Sequence, residues 1–516
     1  MKRFFSVLFA IIFPIQFLFS QSATTQEKDF VVKGFHLDLR IQVMKMDALK
    51  AFAKKLSEQG INTLVMEWEG TYPFESHPLI PNKYAYTKDE IKSFISYCSS
   101  IGIDVIPLQQ SFGHVEYILR HERYKDLRED QKDYSQVCPL EEEGDKKLFT
   151  DLFTELAATH PSKYFHIGGD ETYLLGHCEK CKAKAVKEGT SKLYIDHIKM
   201  LCDIVISLGK IPVMWADIAL KHPEALKLLP KQTILVDWNY GWDMNNFGDH
   251  EKLMQSGFEV WGAPSIRSHP DNYFLTQWEK HFKNIRDFIP ACRQLGYKGI
   301  IMTSWSTSGQ YSTVWETSDD IIDLYAIRHV YPITGFNMLL SAYTKSLQTQ
   351  KTLDIVEFIN TYSKEQYGFD EQQSLSFWKA ITMSPYEIKQ GKVSAPGIAV
   401  SQLADSQALA VKTLYELKPK KNIEEFEQYR LMADIRMFYL TYQKIEAEVN
   451  DASFSNSKIP SILMQLKKLL SDAKLIDQRF INLNKNTLYV SELQEENNLR
   501  NSKINLLYQR LAKERM

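Results

Sequence analysis

Residues 49–70 read LKAFAKKLSEQGINTLVMEWEG, and this stretch holds the unit from which the fold is built. Its apolar residues from Leu49 to Leu56 recur at the three- and four-residue spacing of an amphipathic helix. Gly60 follows at the place where a helix often ends on a residue in the left-handed conformation. The apolar run Thr63–Glu67 is then typical of a buried parallel strand. The stretch predicts a helix, a tight joint and a strand.

The same unit recurs along residues 31–344. The predicted strands are Val31–Leu39, Thr63–Glu67, Asp104–Leu108, Tyr164–Ile167, Ile211–Trp215, Thr233–Asp237, Glu259–Gly262 and Gly299–Ser304. Glycines mark five of the joints from helix to strand, namely Gly60, Gly102, Gly209, Gly257 and Gly296. Eight strands alternating with helices predict an α/β fold, a closed (β/α)₈ TIM barrel. A doubly wound open sheet is the alternative, but no G-x-G-x-x-G follows the first strand.

Residues 345–516 lack the strand pattern. Apolar residues recur there at helical spacing, for example from Phe426 to Leu440 and from Ile462 to Leu470. The sequence therefore predicts a C-terminal α-helical region packed on the barrel. Its role stays open, and a dimerisation surface is a less favoured alternative.

The first residues differ from the rest of the chain. Lys2 and Arg3 precede an apolar run from Phe4 to Phe19, and small residues follow from Ser20 to Ala23. This order is typical of a signal peptide, which we place at residues 1–22. A retained anchor is the alternative, although the run is short for a membrane span. We expect an exported protein, periplasmic or extracellular, without a stable membrane span after cleavage.

The charge of the chain gives no sign of a nucleic-acid partner. Its formal net charge is −2 over 516 residues, and 44% of them are hydrophobic. A protein that binds nucleic acid or an anionic membrane surface by charge usually carries a clear basic excess. An uncharged or small-molecule partner is therefore expected. The oligomeric state is left open.

Polar and aromatic residues gather at the predicted carboxyl ends of the strands, where a (β/α)₈ barrel carries its active site. Five of the nine tryptophans fall there: Trp68, Trp215, Trp238, Trp261 and Trp305. The charged and polar residues at the same ends include Arg40, Glu67, Glu69, His114, His166 and Asp217. Tryptophan faces pack against sugar rings, while carboxylates and arginine hold hydroxyl groups. The pattern favours a sugar-binding pocket over simple core packing.

The segment HIGGDE, residues 166–171, is the most specific motif of the chain. Adjacent side chains of a regular strand point to opposite faces. Two glycines before Asp170 and Glu171 allow the backbone to leave the strand, so that both carboxyl groups can enter one pocket. Two carboxyls in one apolar site do not both ionise easily. One can then act as an acid beside an anion, which is what glycoside cleavage requires.

The HIGGDE segment resembles the signature of the β-N-acetylhexosaminidases of glycoside hydrolase family 20, and the hexosaminidase D branch in particular. Further similar stretches are GFHLDLR at residues 34–40, NTLVMEWEGTYPF at 62–74 and IDVIPLQQSFGHVEYILRHERYKDLRE at 103–129. The likeness covers about residues 33 to 330 and is most specific in its first half. One departure is MEWEGTYPF at strand two, in place of the family's more common histidine-and-aspartate pattern.

The resemblance implies an exo-acting hydrolase that removes terminal β-linked N-acetylglucosamine or N-acetylgalactosamine with retention. In this mechanism the substrate's acetamide oxygen attacks the anomeric carbon and forms an oxazolinium ion, an exception to the two-carboxylate scheme. By motif position Glu171 is the general acid and base. Asp170 orients the acetamide and offsets its developing positive charge. No cofactor and no catalytic metal are implied.

The remaining roles follow the same resemblance. Residues predicted to bind the sugar are Arg40, His114, Trp215, Trp238 and Trp305. The tyrosine that donates to the acetamide oxygen has no clear motif match. Tyr240 is our prediction and Tyr273 is the rival. The choice between the gluco and galacto sugar stays open.

Two other functions compete with this one. A barrel that binds glycans without cleaving them would not need both Asp170 and Glu171. A metal-dependent hydrolase using His36, His114 and His166 is disfavoured, since these residues show no H-x-H or H-E-x-x-H spacing.

The cysteines leave a separate question open. Cys178 and Cys181 form a C-x-x-C pair beside His177, and Cys138 could join them. A disulfide, a zinc site and plain packing all fit this pattern.

Overall fold

The structure, a computed structural model, describes residues 29–513 apart from 222–224, 247, 270, 308–310, 315–322, 327–328 and 390, and of 218, 219, 225, 311–314 and 323–326 it describes only the backbone. The predicted signal peptide lies outside the described residues. Thirteen strands are described: β1 Val32–Asp38, β2 Thr63–Glu67, β3 Asp104–Leu108, β4 Tyr164–His166, β5 Ile211–Trp215, β6 Ile234–Trp238, β7 Glu259–Ala263, β8 Ser265–Arg267, β9 Gly299–Ser304, β10 Tyr311–Val314, β11 Asp323–Ala326, β12 Ile388–Lys389 and β13 Lys392–Val393.

Eight of these strands close into a parallel barrel. Strands β1 to β7 pair in chain order, β7 pairs with β9, and β9 pairs with β1, where Val32 lies opposite Gly299. All eight predicted strands are present within one or two residues of their predicted ends. The short β8 extends the line of β7 and pairs with the end of β9. The predicted TIM barrel is therefore confirmed, and the open sheet is excluded.

The helices that follow the barrel strands form the outer layer. They are α1 Met46–Glu58, α2 Lys88–Ser100, α3 Glu116–Leu119, α4 Glu142–Thr159, α5 Glu179–Glu188, α6 Thr190–Ser207, α7 Asp217–Lys221, α8 His250–Gln255, α9 Trp278–Leu295 and α10 Asn337–Leu347. Short 3₁₀ turns occupy Glu69–Thr71, Glu122–Leu127, Ala225–Leu228, Ile333–Gly335 and Asn456–Lys458. In α1, Leu49, Ala53 and Leu56 are buried against the barrel, and Gly60 follows with a φ of +87°.

The C-terminal region consists of α11 Ile355–Tyr367, α12 Glu371–Ile381, α13 Val400–Glu416, α14 Ile423–Val449, α15 Ile459–Asn484 and α16 Val490–Lys513. Between α12 and α13 the two-residue strands β12 and β13 form a small hairpin that the sequence pattern did not predict. The region packs on the barrel layer, where Trp278 of α9 meets Tyr429 of α14 at a ring distance of 5.6 Å. Glu492 of α16 accepts the backbone N–H of Val43 just after β1. Both parts thus share one apolar core.

None of the helices among the described residues is long and apolar enough to cross a membrane.

Candidate active site

The HIGGDE segment begins at the end of β4 and places both carboxyl groups against one histidine. His114 lies in the loop after β3, and its Nε2 is 3.2 Å from Oε2 of Glu171 and 3.5 Å from Oδ2 of Asp170. Asp170 and His114 are buried, whereas Glu171 is half-buried. The carboxyl ends of two neighbouring strands therefore bring these three titratable groups together at one end of the barrel.

The backbone at this point leaves the strand geometry as the two glycines predict. Gly168 has a φ of +71°, and a Cβ there would lie 2.0 Å from Oε1 of Gln110. His114 and Glu171 are not glycines, yet their φ values are +57° and +47°. Such left-handed residues cost of order 1 kcal/mol or more and cluster at functional sites. Here the strained turns direct both side chains toward each other.

One carboxylate oxygen of Asp170 is buried without a hydrogen-bond donor among the described residues. Its Oδ1 has no hydrogen-bond partner among the described residues, while Oδ2 faces His114. A buried carboxylate oxygen without a hydrogen bond destabilises the folded protein, because the cost of removing it from water is not offset. An N–H group of a bound ligand would satisfy it.

Glu171 is held between several polar groups. Tyr173 donates its hydroxyl to Oε1 of Glu171 over 2.8 Å, and the backbone N–H of Glu171 donates to Oδ2 of Asp217 over 3.4 Å. Burial alone would raise the pKa of Glu171, but the hydrogen bond and positive charge of His114 reverse this and lower it. Burial alone would lower the pKa of His114. The charges and hydrogen bonds of Asp170 and Glu171 outweigh burial and hold that pKa well above its usual range. The expectation that one carboxyl of the pair keeps a proton is thus corrected, because His114 holds the proton instead.

Asp217 is a third carboxyl group beside the pair. It follows β5 and accepts the indole N–H of Trp238 on Oδ1 over 3.3 Å. Burial, followed by repulsion from Asp170 and Glu171, raises the pKa of Asp217 to about 7. Near neutral pH Asp217 is therefore only partly ionised, so it adds less than one full negative charge to the site.

Aromatic side chains from three strand ends line the space beside the carboxyl groups. Trp215, Trp238, Tyr240 and Trp305 belong to one apolar cluster. Trp215 and Trp305 are 5.9 Å apart, Trp238 and Tyr240 are 5.1 Å apart, and the indole N–H of Trp305 donates to the Tyr240 hydroxyl over 2.7 Å. Trp242 packs on Trp238 at 5.5 Å. The arrangement provides flat apolar faces next to polar groups, which suits a sugar ring.

Arg40 joins the aromatic wall to a group of acidic residues. Its guanidinium carbon lies 5.0 Å from the Trp305 ring, and its Nε is 3.1 Å from Oδ1 of Asp38. Carboxylate oxygens of Glu67 and Glu69 are each 3.9 Å from the same Nε. Burial opposes ionisation of Asp38, yet Arg40 lowers its pKa to about 2, whereas burial raises the pKa of Glu69 well above its usual range. The guanidinium of Arg40 and the neighbouring carboxyl groups therefore offer hydrogen-bond donors and acceptors for sugar hydroxyls beside Trp305.

The structure corrects two predicted positions and separates the two candidate tyrosines. Trp68 lies outside the barrel, where it packs on Phe94 and donates its indole N–H to His160. Trp261 sits in the middle of β7, opposite Gly299 at the amino-terminal end of β9, so it fills the barrel interior. Strand alternation turns Trp68 outward, whereas Trp261 points inward but lies too deep in its strand to reach the rim. Tyr273 stacks on His329 beside the C-terminal helices, which leaves Tyr240 as the tyrosine at the aromatic wall.

The three histidines of the metal-hydrolase alternative do not meet. His36 binds Oε2 of Glu67 at 2.8 Å, and Nδ1 of His166 accepts the backbone N–H of Gly168. His114 instead faces the carboxyl pair. Within the described part of the chain these histidines form no shared set of metal donors.

Sequence reasoning passed over Tyr173 and Trp242 as site residues and noted Asp217 without giving it a role. The signal for Trp242 was present, since WNYGW at residues 238–242 places an aromatic side chain at every second position. Tyr173 lies two residues after the signature, and only the left-handed turn at Glu171 brings its hydroxyl back to that carboxylate.

Comparisons with known proteins show the family of the chain. The family model described as the catalytic domain of glycosyl hydrolase family 20 matches residues 39–324. Hexosaminidase D of Bos taurus is 30% identical over 298 residues, which cover 54% of this chain and 86% of that protein. Hexosaminidase D of Homo sapiens is 28% identical over 304 residues, covering 56% of this chain and 62% of the human protein.

Solved structures of lower identity are also similar. The β-N-acetylhexosaminidase of Bacteroides fragilis has a TM-score of 0.48 at 16% identity and covers 65% of this chain and 69% of its own. The exo-β-N-acetylglucosaminidase of Vibrio harveyi has a TM-score of 0.46 at 18% identity and covers 64% and 56%. The family model spans more than half of the sequence, and the chain therefore belongs to glycosyl hydrolase family 20, resembles its hexosaminidase D branch, and is a glycoside hydrolase.

Proposed function

We propose that this chain is an exo-acting β-N-acetylhexosaminidase that cleaves terminal β-linked N-acetylhexosamine with the substrate's own acetamide as nucleophile. The observation that carries the proposal is the buried, unpartnered Oδ1 of Asp170 next to Glu171. An acetamide N–H would satisfy that oxygen, and a charge-assisted hydrogen bond of this kind is stronger than a neutral one. Asp170 would then orient the acetamide oxygen toward the anomeric carbon.

The cluster of Asp170, Glu171 and His114 holds one proton that can serve general acid catalysis. Two carboxylates and one imidazolium carry a net charge of −1. Transfer of the proton from Nε2 of His114 to Oε2 of Glu171, across 3.2 Å, changes no total charge. It produces a protonated Glu171, a neutral His114 and an anionic Asp170. That is the ionisation state which protonation of a leaving oxygen requires.

In the proposed reaction Glu171 donates this proton to the glycosidic oxygen as the bond to the anomeric carbon breaks. The acetamide oxygen forms a bond to the same carbon, and Asp170 offsets the charge on the resulting oxazolinium ion. Glu171 then removes a proton from water, which attacks the anomeric carbon and restores the acetamide. Tyr240 would donate to the acetamide oxygen, while Arg40 and the tryptophans bind the ring.

The decisive test compares initial rates on the 4-nitrophenyl β-glycosides of N-acetylglucosamine, N-acetylgalactosamine and glucose. At least one N-acetyl substrate should be cleaved far faster than the glucoside, which lacks the nucleophile. A thiazoline analogue of the oxazolinium ion should inhibit tightly, because it resembles the charged intermediate. Similar rates on glucoside and N-acetyl substrate would contradict an acetamide nucleophile.

The exo preference is tested on a β-linked oligomer of N-acetylglucosamine. Release of monosaccharide from the non-reducing end is expected, whereas internal cleavage into shorter oligomers would contradict it. Binding of the oligomer without any cleavage would instead identify a glycan-binding protein, the alternative that the sequence left open.

A further inference from the structure

Three cysteines and one glutamate converge beside the catalytic loops. One ligand atom from each of Glu129, Cys138, Cys178 and Cys181 lies within 4.8 Å of all the others. Sγ of Cys138 is 3.5 Å from Sγ of Cys181 and 3.7 Å from Sγ of Cys178. Cys138 and Cys181 are buried, and Glu129 is only 3% exposed. The cluster is separate from the carboxyl pair of the active site.

The sulfur spacing fits a shared metal ion. A disulfide has an S–S bond of about 2.05 Å, well short of the distances here. Tetrahedral zinc with Zn–S bonds of about 2.3 Å places its sulfur ligands about 3.8 Å apart. The C-x-x-C spacing of Cys178 and Cys181 is the usual spacing of a zinc ligand pair.

The carboxylate of Glu129 is the independent sign of a cation. Its Oε1 accepts the backbone N–H of Cys178 over 2.8 Å, but its buried Oε2 has no hydrogen-bond partner among the described residues. A buried carboxyl oxygen that faces three sulfur atoms and makes no hydrogen bond would be satisfied by a cation bound between them. The backbone N–H of Cys181 also donates to Sγ of Cys178 over 3.4 Å. Such outer contacts orient thiolate ligands around a metal.

We propose that Glu129, Cys138, Cys178 and Cys181 bind one structural Zn²⁺ ion. All four positions of a tetrahedral ion are then filled by the protein, so the ion takes no part in the reaction. Binding requires deprotonated thiols, and three thiolates and one carboxylate supply the ligands.

The ion would connect the two loops that carry the catalytic groups. Glu129 and Cys138 belong to the loop between β3 and α4, which also carries His114. Cys178 and Cys181 lie after the HIGGDE turn of β4. The loops already meet where Gln136 accepts the backbone N–H of Leu174 over 3.0 Å. A metal bridge would hold His114 against Glu171 without touching either.

The wild-type chain gives the first test, which needs no variant. Metal analysis of the purified protein, prepared without chelator, should show one zinc ion per chain. After removal by a strong chelator, Co²⁺ should restore one ion per chain with the intense visible bands of a tetrahedral thiolate site. Intact mass should show all six cysteines reduced. A disulfide among the three cysteines, recognised by the loss of two hydrogens, would overturn the proposal.

A matched pair of variants locates the ion. Cys181→Ala should lose the zinc and melt at a lower temperature, while Cys98→Ala, another buried cysteine, should keep one ion per chain. Glu129→Gln should weaken zinc binding by about tenfold or more. Full zinc in Cys181→Ala, or equal loss in Cys98→Ala, would place the metal elsewhere. Wild-type protein with no zinc and three free thiols would also refute it, whatever its activity.

Discussion

The indole N–H of Trp305 donates a hydrogen bond to the hydroxyl of Tyr240 over 2.7 Å. Trp305 follows β9 and Tyr240 follows β6, so the bond spans the carboxyl end of β7, the strand that lies between them. It fixes the orientation of the hydroxyl of a tyrosine that is only 7% exposed. The bond therefore couples a wall of the pocket to the group that we propose as donor to the acetamide.

This coupling predicts a non-additive pair of substitutions. Tyr240→Phe removes the donor and should lower kcat/KM by about 100-fold, as loss of one such donor does in other enzymes. Trp305→Phe keeps an aromatic ring but loses the bond that orients the hydroxyl, and should cost about tenfold. The double variant should have the same kcat/KM as Tyr240→Phe alone, because the hydroxyl that Trp305 orients is already absent. Multiplied losses in kcat/KM would show that the residues act independently.

The two carboxyl groups should differ in their dependence on the leaving group. Glu171→Gln should be severely impaired on an alkyl glycoside or disaccharide but partly spared on a 4-nitrophenyl substrate, whose phenolate leaves without a proton. Asp170→Asn should lose similar activity on both, because the acetamide must attack whatever the leaving group is. Values of kcat/KM for both variants on both substrates test this.

The opposite pattern would reverse the roles of the two carboxyl groups. Losses of only a few-fold in both variants would show that the pair is not catalytic.

Removal of His114 should shift the basic limb of the pH profile downward. Asp170 and Glu171 hold the pKa of His114 well above its usual range, so the proton that His114 can pass to Glu171 is kept to high pH in the wild type. In His114→Gln the hydrogen bond and charge that lower the pKa of Glu171 are gone, but the proton can reside only on that carboxyl group, which binds it less tightly than the imidazole does. The basic limb of kcat/KM should therefore move to lower pH, and the maximum rate should fall. A basic limb that stays in place or moves up would contradict the proposed link between the two groups.

Asp217 should make the protein less stable as the pH rises. Its folded pKa is raised to about 7, so the unfolded chain gives up this proton first. The contribution of Asp217 to the free energy of unfolding therefore decreases between about pH 4 and pH 7, by an amount on the order of a few kcal/mol. Asp217→Asn has no such proton to lose. Melting temperatures at pH 5 and pH 8 should therefore differ less in the variant than in the wild type, and an equal difference would refute the assignment.

Export can be tested at the amino terminus. We propose that the mature protein begins shortly after Ser20, because a basic, apolar and small-residue order precedes that point. Amino-terminal sequencing of protein recovered outside the cytoplasm should begin near Ala23. Recovered protein that still begins at Met1 would contradict cleavage.

Local chemistry along the chain was sufficient for the barrel. The helix from Leu49 to Leu56, the left-handed joint at Gly60 and the strand Thr63–Glu67 each depend on spacing and residue type within one short stretch. Repetition of that stretch implies the closed barrel, because each buried strand needs a neighbour on both sides. The HIGGDE segment was recognisable for the same reason, since its glycines and carboxyls are adjacent in sequence.

Tertiary structure alone decided which of the distant residues meet. Trp68 and Trp261 looked equivalent to Trp305 in sequence, yet one packs outside the barrel and the other fills its interior. Tyr240 was separated from Tyr273 only by where their loops fold. Glu129 joined the three cysteines although 49 residues separate it from Cys178. Spacing along a chain determines local conformation, but side-chain direction and long-range contact depend on strand register and loop path, which only the closed structure specifies.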